Sequence, residues 1–157
     1  MIIIGLIIPV LFRDSFLYII GDTLTVFFYF LLPVLVGIWE SLIVGISIPL
    51  SRFLLKLQMF KPVDLLFFIM LGNMSLIVVF SLLYNKGRWV GLIGILLGTL
   101  TRYLIISQST VKLIKGYQIV YFDSIALFFA TLLGGILAFI TIPQLEKERK
   151  KGNELFR

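Results

Sequence analysis

The chain of 157 residues has no cysteine and no histidine, and only 14% of its residues are charged. The absence of cysteine excludes disulfides and thiolate chemistry. The absence of histidine removes the commonest metal ligand and the commonest general base. Motifs for phosphate-binding loops, dinucleotide binding and zinc proteases are missing from the sequence as well. We therefore expect no enzymatic activity, no transition-metal site and no cofactor.

Hydrophobic residues, in contrast, are abundant. They make up 60% of the chain, whereas soluble domains contain about 45–50%. This composition predicts an integral membrane protein. The N-terminal stretch "MIIIGLIIPVLF" has no basic region and no cleavage site of small residues, so we expect no cleavable signal peptide.

A membrane-spanning helix needs about 20 apolar residues. The first apolar segment is shorter than that unless it continues toward Ile20. The sequence predicts an all-α integral membrane protein, a six-helix transmembrane bundle over residues 1–145, followed by a basic tail over residues 146–157. Charges and turn residues place the six candidate helices at residues 1–12, 24–38, 40–57, 63–84, 89–107 and 122–145.

The distribution of lysine and arginine predicts the orientation of the bundle. The net charge of +6 comes largely from the tail, which we interpret as a cytoplasmic anchor rather than a nucleic-acid-binding arm. With six spans, the tail and the loop 85–88 carry seven cations on one side, against five on the other. Cytoplasmic loops are enriched in cations, so both termini are predicted to lie in the cytoplasm.

Four charged residues fall at a similar depth near the outer ends of four predicted helices: Arg52, Asp64, Arg102 and Asp123. A charge within a membrane helix costs about 2.5–3.5 kcal/mol on insertion scales and usually faces the bundle interior. Two interpretations remain open. The charges form an ion-pair network without a ligand, or they line a polar pocket that opens to the outside.

Other polar residues lie close to these charges. Asn73 lies near the middle of the fourth predicted helix, either as the floor of such a pocket or as an inter-helix hydrogen bond worth about 0.6 kcal/mol. Tyr103 and Tyr121 either stack on a flat ligand or anchor the membrane interface. Gly94 and Gly98 form a G-x-x-x-G pair, which predicts close helix packing within the chain or against another subunit.

The order of several motifs resembles the substrate-binding subunit (S component) of energy-coupling factor transporters, which take up vitamins. A G-x-x-x-P pattern at Gly5 and Pro9 precedes "FLLPVLVGIWESLIVGISIPLS" at residues 30–51. Next come "FIMLGNMSLIVVFSLLY", a basic turn "NKGR", a helix ending in "GTLTRYL", and a final "IPQLEKERKK". The resemblance covers nearly the whole chain.

The resemblance implies a six-helix subunit in the plasma membrane of a prokaryote. Such a subunit binds a vitamin-like solute from outside and delivers it with a transmembrane coupling subunit and two ATPases. The partner-interface residues would then be Gly5, Gly94 and Gly98. The substrate-binding residues would be Asn73, Arg102, Asp64, Asp123, Arg52, Tyr103 and Tyr121.

The sequence departs from this family at two points. Members carry several small residues in the first half of the first helix, where they contact the coupling subunit, and here only Gly5 is left. Many members also have a histidine before the proline of the second segment, where this chain has Leu32 before Pro33. The lack of histidine also argues against the cobalt and nickel members.

Two functions of other classes remain open. The first is a non-transport scaffold of a cell-envelope complex, similar to the small polytopic protein MreD, in which the outer charges only pair with one another. The second is a channel-forming or holin-like homo-oligomer.

Overall fold

The computed structural model describes residues 15–54, 63–113 and 119–155, and these residues are helical apart from two short turns. The predicted first segment, residues 1–12 with Gly5, lies outside the described residues. The all-helical class is confirmed for this part of the chain. The five helices are α1 Ser15–Leu35, α2 Ile38–Leu54, α3 Val63–Tyr84, α4 Arg88–Leu113 and α5 Ile119–Leu155.

The boundaries of three helices differ clearly from the prediction. Helix α4 continues to Leu113, six residues beyond its predicted end at residue 107. Helix α1 begins at Ser15, well before the predicted start at residue 24, and therefore takes Asp22 into its interior. Helix α5 continues through the predicted tail to Leu155, since the glutamate, lysine and arginine residues there are good helix formers.

The turns that join the helices at one end of the bundle are short and depend on glycine. Gly37 and Gly87 have φ angles of 131° and 143°, a region of backbone conformation that side chains with a Cβ rarely adopt. Helix α1 closes with a bond from the Val36 amide to the Leu32 carbonyl at 2.9 Å. We call this end, with the turns 36–37 and 85–87, the short-loop end.

Three described helices contain segments that are long and apolar enough to cross a membrane: Leu65–Tyr84, Arg88–Gln108 and Ile125–Glu148. A shorter apolar segment, Ile19–Leu35, lies in α1. The bundle exposes large hydrophobic side chains on its outer surface, which suits contact with lipid chains rather than water. The described structure thus agrees with a membrane protein. These exposed side chains include Phe67, Leu82, Leu96, Phe129 and Ile140.

The five helices form a closed ring in which α1 packs between α5 and α2, and α3 between α2 and α4. Helix α4 completes the ring against α5, and α1 also reaches across to α3. The Tyr84 hydroxyl at the end of α3 donates to Glu146 Oε1 of α5 at 3.4 Å. The last residue of α3 therefore lies beside Glu146 of α5 at the short-loop end, and α5 continues beyond it to Leu155.

The apolar core lies in the half of the bundle nearer the short-loop end. Phe30 of α1 and Phe80 of α3 meet edge to face, with ring centroids 4.9 Å apart. Both rings are fully buried, an arrangement that stabilises by about 0.5–1.5 kcal/mol beyond the area it buries. Around these rings pack Val26, Ile48, Leu76, Ile77, Ile95, Ala138 and Ile142.

Gly94 and Gly98 make the contact between α4 and α3. A Cβ added at Gly94 would lie 3.3 Å from Phe80 Cα, and one at Gly98 would lie 3.2 Å from the Leu76 carbonyl oxygen. The close approach that the G-x-x-x-G pair permits is therefore made within the chain. Both glycines are buried against α3.

Helices α1 and α5 approach each other closely at Gly134. A Cβ there would lie 2.7 Å from the Thr23 carbonyl oxygen and 2.9 Å from the Phe27 amide nitrogen. Because both are backbone atoms, no side-chain rotation relieves the overlap. We expect Gly134→Ala to lower the free energy of unfolding in detergent by about 1–3 kcal/mol, the usual cost of overpacking.

The matched control for this substitution is Leu133→Ala on the same helix. Leu133 is 53% exposed on the outer surface, so its truncation should change the unfolding free energy much less than Gly134→Ala does. Equal stabilities of the two variants would contradict the backbone contact.

Candidate functional site

A group of buried polar side chains fills the bundle centre on the side of the core away from the short-loop end. Each described helix contributes at least one member, and all members are at most 7% exposed. Burying so many polar groups is costly unless they are hydrogen-bonded or paired. We call this group the polar cluster; it consists of Asp22, Thr25 and Tyr29 of α1, Arg52 of α2, Asn73 of α3, Arg102 of α4 and Thr131 of α5.

Helix α1 supplies three members from a single face. Asp22, Thr25 and Tyr29 are spaced by three and four residues, so their side chains point in the same direction from the helix. Thr25 Oγ1 also donates to the Gly21 carbonyl within the helix, at 2.8 Å. Helix α1 therefore presents a polar stripe to the bundle centre.

The Asp22 carboxylate is shared between two arginines. Its Oδ2 atom lies 3.5 Å from Nη2 of Arg102, and its Oδ1 atom lies 4.0 Å from Nη1 of Arg52. Arg52 Nη2 in turn donates to Thr25 Oγ1 at 2.7 Å. One carboxylate on α1 thus holds together side chains from α2 and α4.

Asn73 connects α3 to three other helices. Its Nδ2 donates to the Tyr29 hydroxyl and to the Gly45 carbonyl, each at 3.3 Å, and its Oδ1 accepts from Arg102 Nε at 3.0 Å. Arg102 Nη1 donates to Thr131 Oγ1 of α5. The amide of Asn73 therefore positions Arg102, and both of its polar atoms are already bonded within the protein.

Two groups of the cluster have unused hydrogen-bonding capacity. Arg52 Nε and Asp22 Oδ2 are buried without a hydrogen-bond partner among the described residues, although Asp22 Oδ2 takes part in the ion pair with Arg102. The charged side chains buried in the described part of the chain are two arginines and one aspartate. Two positive charges and one negative charge leave a formal net charge of +1.

The chemistry of the cluster suits the binding of an anion. The described residues include no group of acidic side chains that would hold a metal ion. The cluster offers guanidinium and amide groups, which recognise the oxygens of an anion through directed hydrogen bonds.

Three of the predicted site residues, Arg52, Asn73 and Arg102, do come together in the cluster. Tyr103 points elsewhere, since its ring packs edge to face on Phe128 with centroids 5.6 Å apart. The remaining three are Asp64 near the start of α3 and Tyr121 and Asp123 near the start of α5; their side chains lie outside the described ones.

Asp22, Thr25 and Thr131 were not among the predicted site residues. Asp22 lay outside the predicted helices, because the predicted second helix began two residues later. The available signal was the spacing of Asp22, Thr25 and Tyr29, which places the three on one helical face. The carboxylate described beside both arginines is thus Asp22 of α1, which was not among the predicted site residues.

No protein-family model, curated protein or solved structure matches the chain. The interpretation of the cluster therefore depends on its own geometry and charge.

The shared carboxylate makes Asp22→Asn the most damaging single substitution that we expect in the cluster. It would leave two buried guanidinium groups without an anion among the described side chains, and breaking a buried ion pair costs about 3–5 kcal/mol. Thermal unfolding in detergent measures the loss. Removing one of the two cations as well, in Asp22→Asn with Arg52→Gln, should restore part of the stability.

The control for Asp22→Asn is Glu40→Gln, which removes an exposed carboxylate. A loss of stability of similar size in Glu40→Gln would contradict the pairing of Asp22 with the two arginines.

The contacts of Asn73 predict the effect of Asn73→Leu. Arg102 Nε loses its acceptor, and an unsatisfied buried donor costs about 1–3 kcal/mol, so we expect a lower unfolding free energy as well as a displaced Arg102. Ser75→Ala is the control on the same helix, since the described bond of that hydroxyl runs to the Gly72 carbonyl of α3 itself. If both variants were as stable as the wild type, Asn73 would not have the positioning role assigned to it.

Proposed function

We propose that the chain is the substrate-binding subunit of an energy-coupling factor importer, in the plasma membrane of a prokaryote. In this proposal it has six membrane helices with both ends in the cytoplasm. It captures a vitamin or a related small organic micronutrient from outside and delivers it with a coupling subunit and two ATPases. The observation that carries the proposal is a polar cluster with unused hydrogen-bonding groups, buried at the centre of a bundle of membrane-length helices.

The depth of the cluster supports uptake from outside. Arg52 lies in the last turn of α2, at the end opposite the short-loop end. The short-loop end carries Lys86, Arg88 and Lys147, and cations of this kind mark the cytoplasmic side. The cluster would then lie nearer the outer surface, as the binding site of a solute that enters from outside must.

The connectivity of the cluster supports coupling between binding and helix packing. Its members come from all five described helices, so a solute that changes one of the ion pairs also changes the contacts between helices. A capture subunit needs such a link, because the partner complex has to distinguish the loaded from the empty state.

One observation favours the alternative of a non-transport scaffold similar to MreD. Asn73 and Arg102 already have partners inside the protein for each of their polar atoms. A cluster that serves only to hold helices together would have this property too. The scaffold alternative gives no role to Arg52 Nε, which has no hydrogen-bond partner among the described residues.

Affinity purification of the full chain from its native membrane in mild detergent tests the two functions. The importer proposal predicts copurification of a membrane coupling subunit and two ATPases, together with a small molecule detected by native mass spectrometry. A scaffold would instead bring down cell-wall proteins. An unrelated tagged membrane protein from the same cells is the control for adventitious ATPases, and their absence above that background would refute the importer proposal.

A further inference from the structure

The two arginines of the polar cluster differ in how fully their guanidinium groups are used. In Arg102, Nε donates to Asn73, Nη1 donates to Thr131, and Nη2 faces Asp22 at 3.5 Å. Each of its three nitrogens therefore has a partner within the protein. This arginine belongs to the framework of the bundle.

The guanidinium group of Arg52, in contrast, makes fewer hydrogen bonds within the described part of the protein than it can donate. Its Nη2 donates to Thr25, but Nη1 lies 4.0 Å from Asp22, beyond hydrogen-bond distance, and Nε has no hydrogen-bond partner among the described residues. Its side chain is nevertheless only 9% exposed. A buried N–H group without an acceptor is rare in native proteins and points to a missing partner.

The charge of the cluster restricts what that partner can be. Among the buried described side chains, Arg52 and Arg102 together carry two positive charges against the single negative charge of Asp22. A neutral acceptor satisfies the hydrogen bond of Arg52 and leaves the surplus positive charge buried. A carboxylate satisfies the bond and brings the charge of the cluster to zero. A phosphate ester has a charge of about −1.5 to −2 at neutral pH, so it would leave the cluster with a net negative charge.

We infer that the solute is a carboxylate monoanion, and that its carboxylate accepts a hydrogen bond from Arg52 Nε. This inference rests on the proposed function and names its substrate class. Arg52 is the binding arginine, Arg102 is a positioning residue, and Asp22 is the resident anion that keeps both guanidinium groups in place. The position of Arg52 in the last turn of α2 puts it on the side from which a solute enters in the proposed orientation.

Matched pairs of acids and neutral analogues test the charge of the solute on the wild-type protein. The probes are biotin and biotinamide, nicotinate and nicotinamide, lipoate and lipoamide, and pantothenate and panthenol, with pyridoxal phosphate and pyridoxal as the phosphate pair. We expect an acid of this set to raise the melting temperature of the purified full chain, and its neutral analogue at the same concentration to leave it unchanged. Native mass spectrometry of the protein as purified should likewise find a bound carboxylate.

Variants at Arg52 then test the site. Arg52→Gln removes the charge and should weaken binding of the stabilising acid about 10- to 100-fold, the usual range for a hydrogen bond to a charged group. Arg52→Lys keeps the charge but lacks Nε and its planar geometry, so it should fall between Arg52→Gln and the wild type. Arg88→Gln removes a cation at the short-loop end, and binding of the acid should stay at the wild-type level.

The outcomes separate this inference from the proposed function. Copurification of the ATPases with a neutral or cationic solute, or with a phosphate ester, would overturn the inference and leave the importer standing. An acid bound equally well by Arg52→Gln and wild type would also overturn it. If none of the probes stabilises the protein, no small molecule is bound and no ATPases copurify, both the inference and the importer proposal are wrong. If Arg52→Gln does not fold, the pairs of acids and neutral analogues and the Arg52→Lys variant still test the inference.

Discussion

The ion pairs of Asp22 are the constraint on which the arrangement of the helices depends. A charge within an apolar bundle is expensive, and Asp22 of α1 lies between Arg52 of α2 and Arg102 of α4. If one of these three side chains left the centre, its own charge would face hydrocarbon or a charge in the centre would lose its partner. A shift of α1 along its axis by a single turn, about 5.4 Å, would separate the carboxylate from both arginines. The pairing therefore fixes the relative heights of three helices in a bundle where hydrophobic contacts alone allow sliding.

Small residues are what allow the helices to approach closely enough for these polar groups to meet. Gly45 of α2 leaves its carbonyl open to the Asn73 amide at 3.3 Å, and Gly134 of α5 lies against the backbone of α1 at Thr23. Lipid chains are as apolar as the side chains they surround, so helix association in membranes relies on such close packing and on hydrogen bonds. The glycine contacts thus bring the helices close together, and the polar side chains form hydrogen bonds between those helices.

The sequence alone was enough to predict the residues that stand out against an apolar background. Arg52, Asn73 and Arg102 were expected near one another because each interrupts a hydrophobic helix, and they are close in the structure. Asp22 was missed because "GDT" has the composition of a turn, although its spacing to Thr25 and Tyr29 is that of one helical face. Tyr103 follows Arg102 directly, so the rotation of about 100° per residue in a helix turns it toward Phe128. The depth of these residues in the bundle could be predicted from the sequence. The rotation of each helix about its axis, and therefore the partner of each side chain, depends on tertiary packing.

The two arginines of the cluster differ in their hydrogen bonds, so one can hold the helices together while the other can bind a solute. If both guanidinium groups were fully bonded, the cluster would hold the helices together and have nothing to offer a solute. If both had spare donors, the buried charge would have too few partners to be tolerated in an apolar bundle. Here Arg102 is bonded through Asn73 and Thr131, whereas Arg52 has a donor without a partner among the described residues. In the proposed site an anion would bond to Arg52 Nε, an atom that Asp22 does not contact, while Arg102 keeps the framework in place.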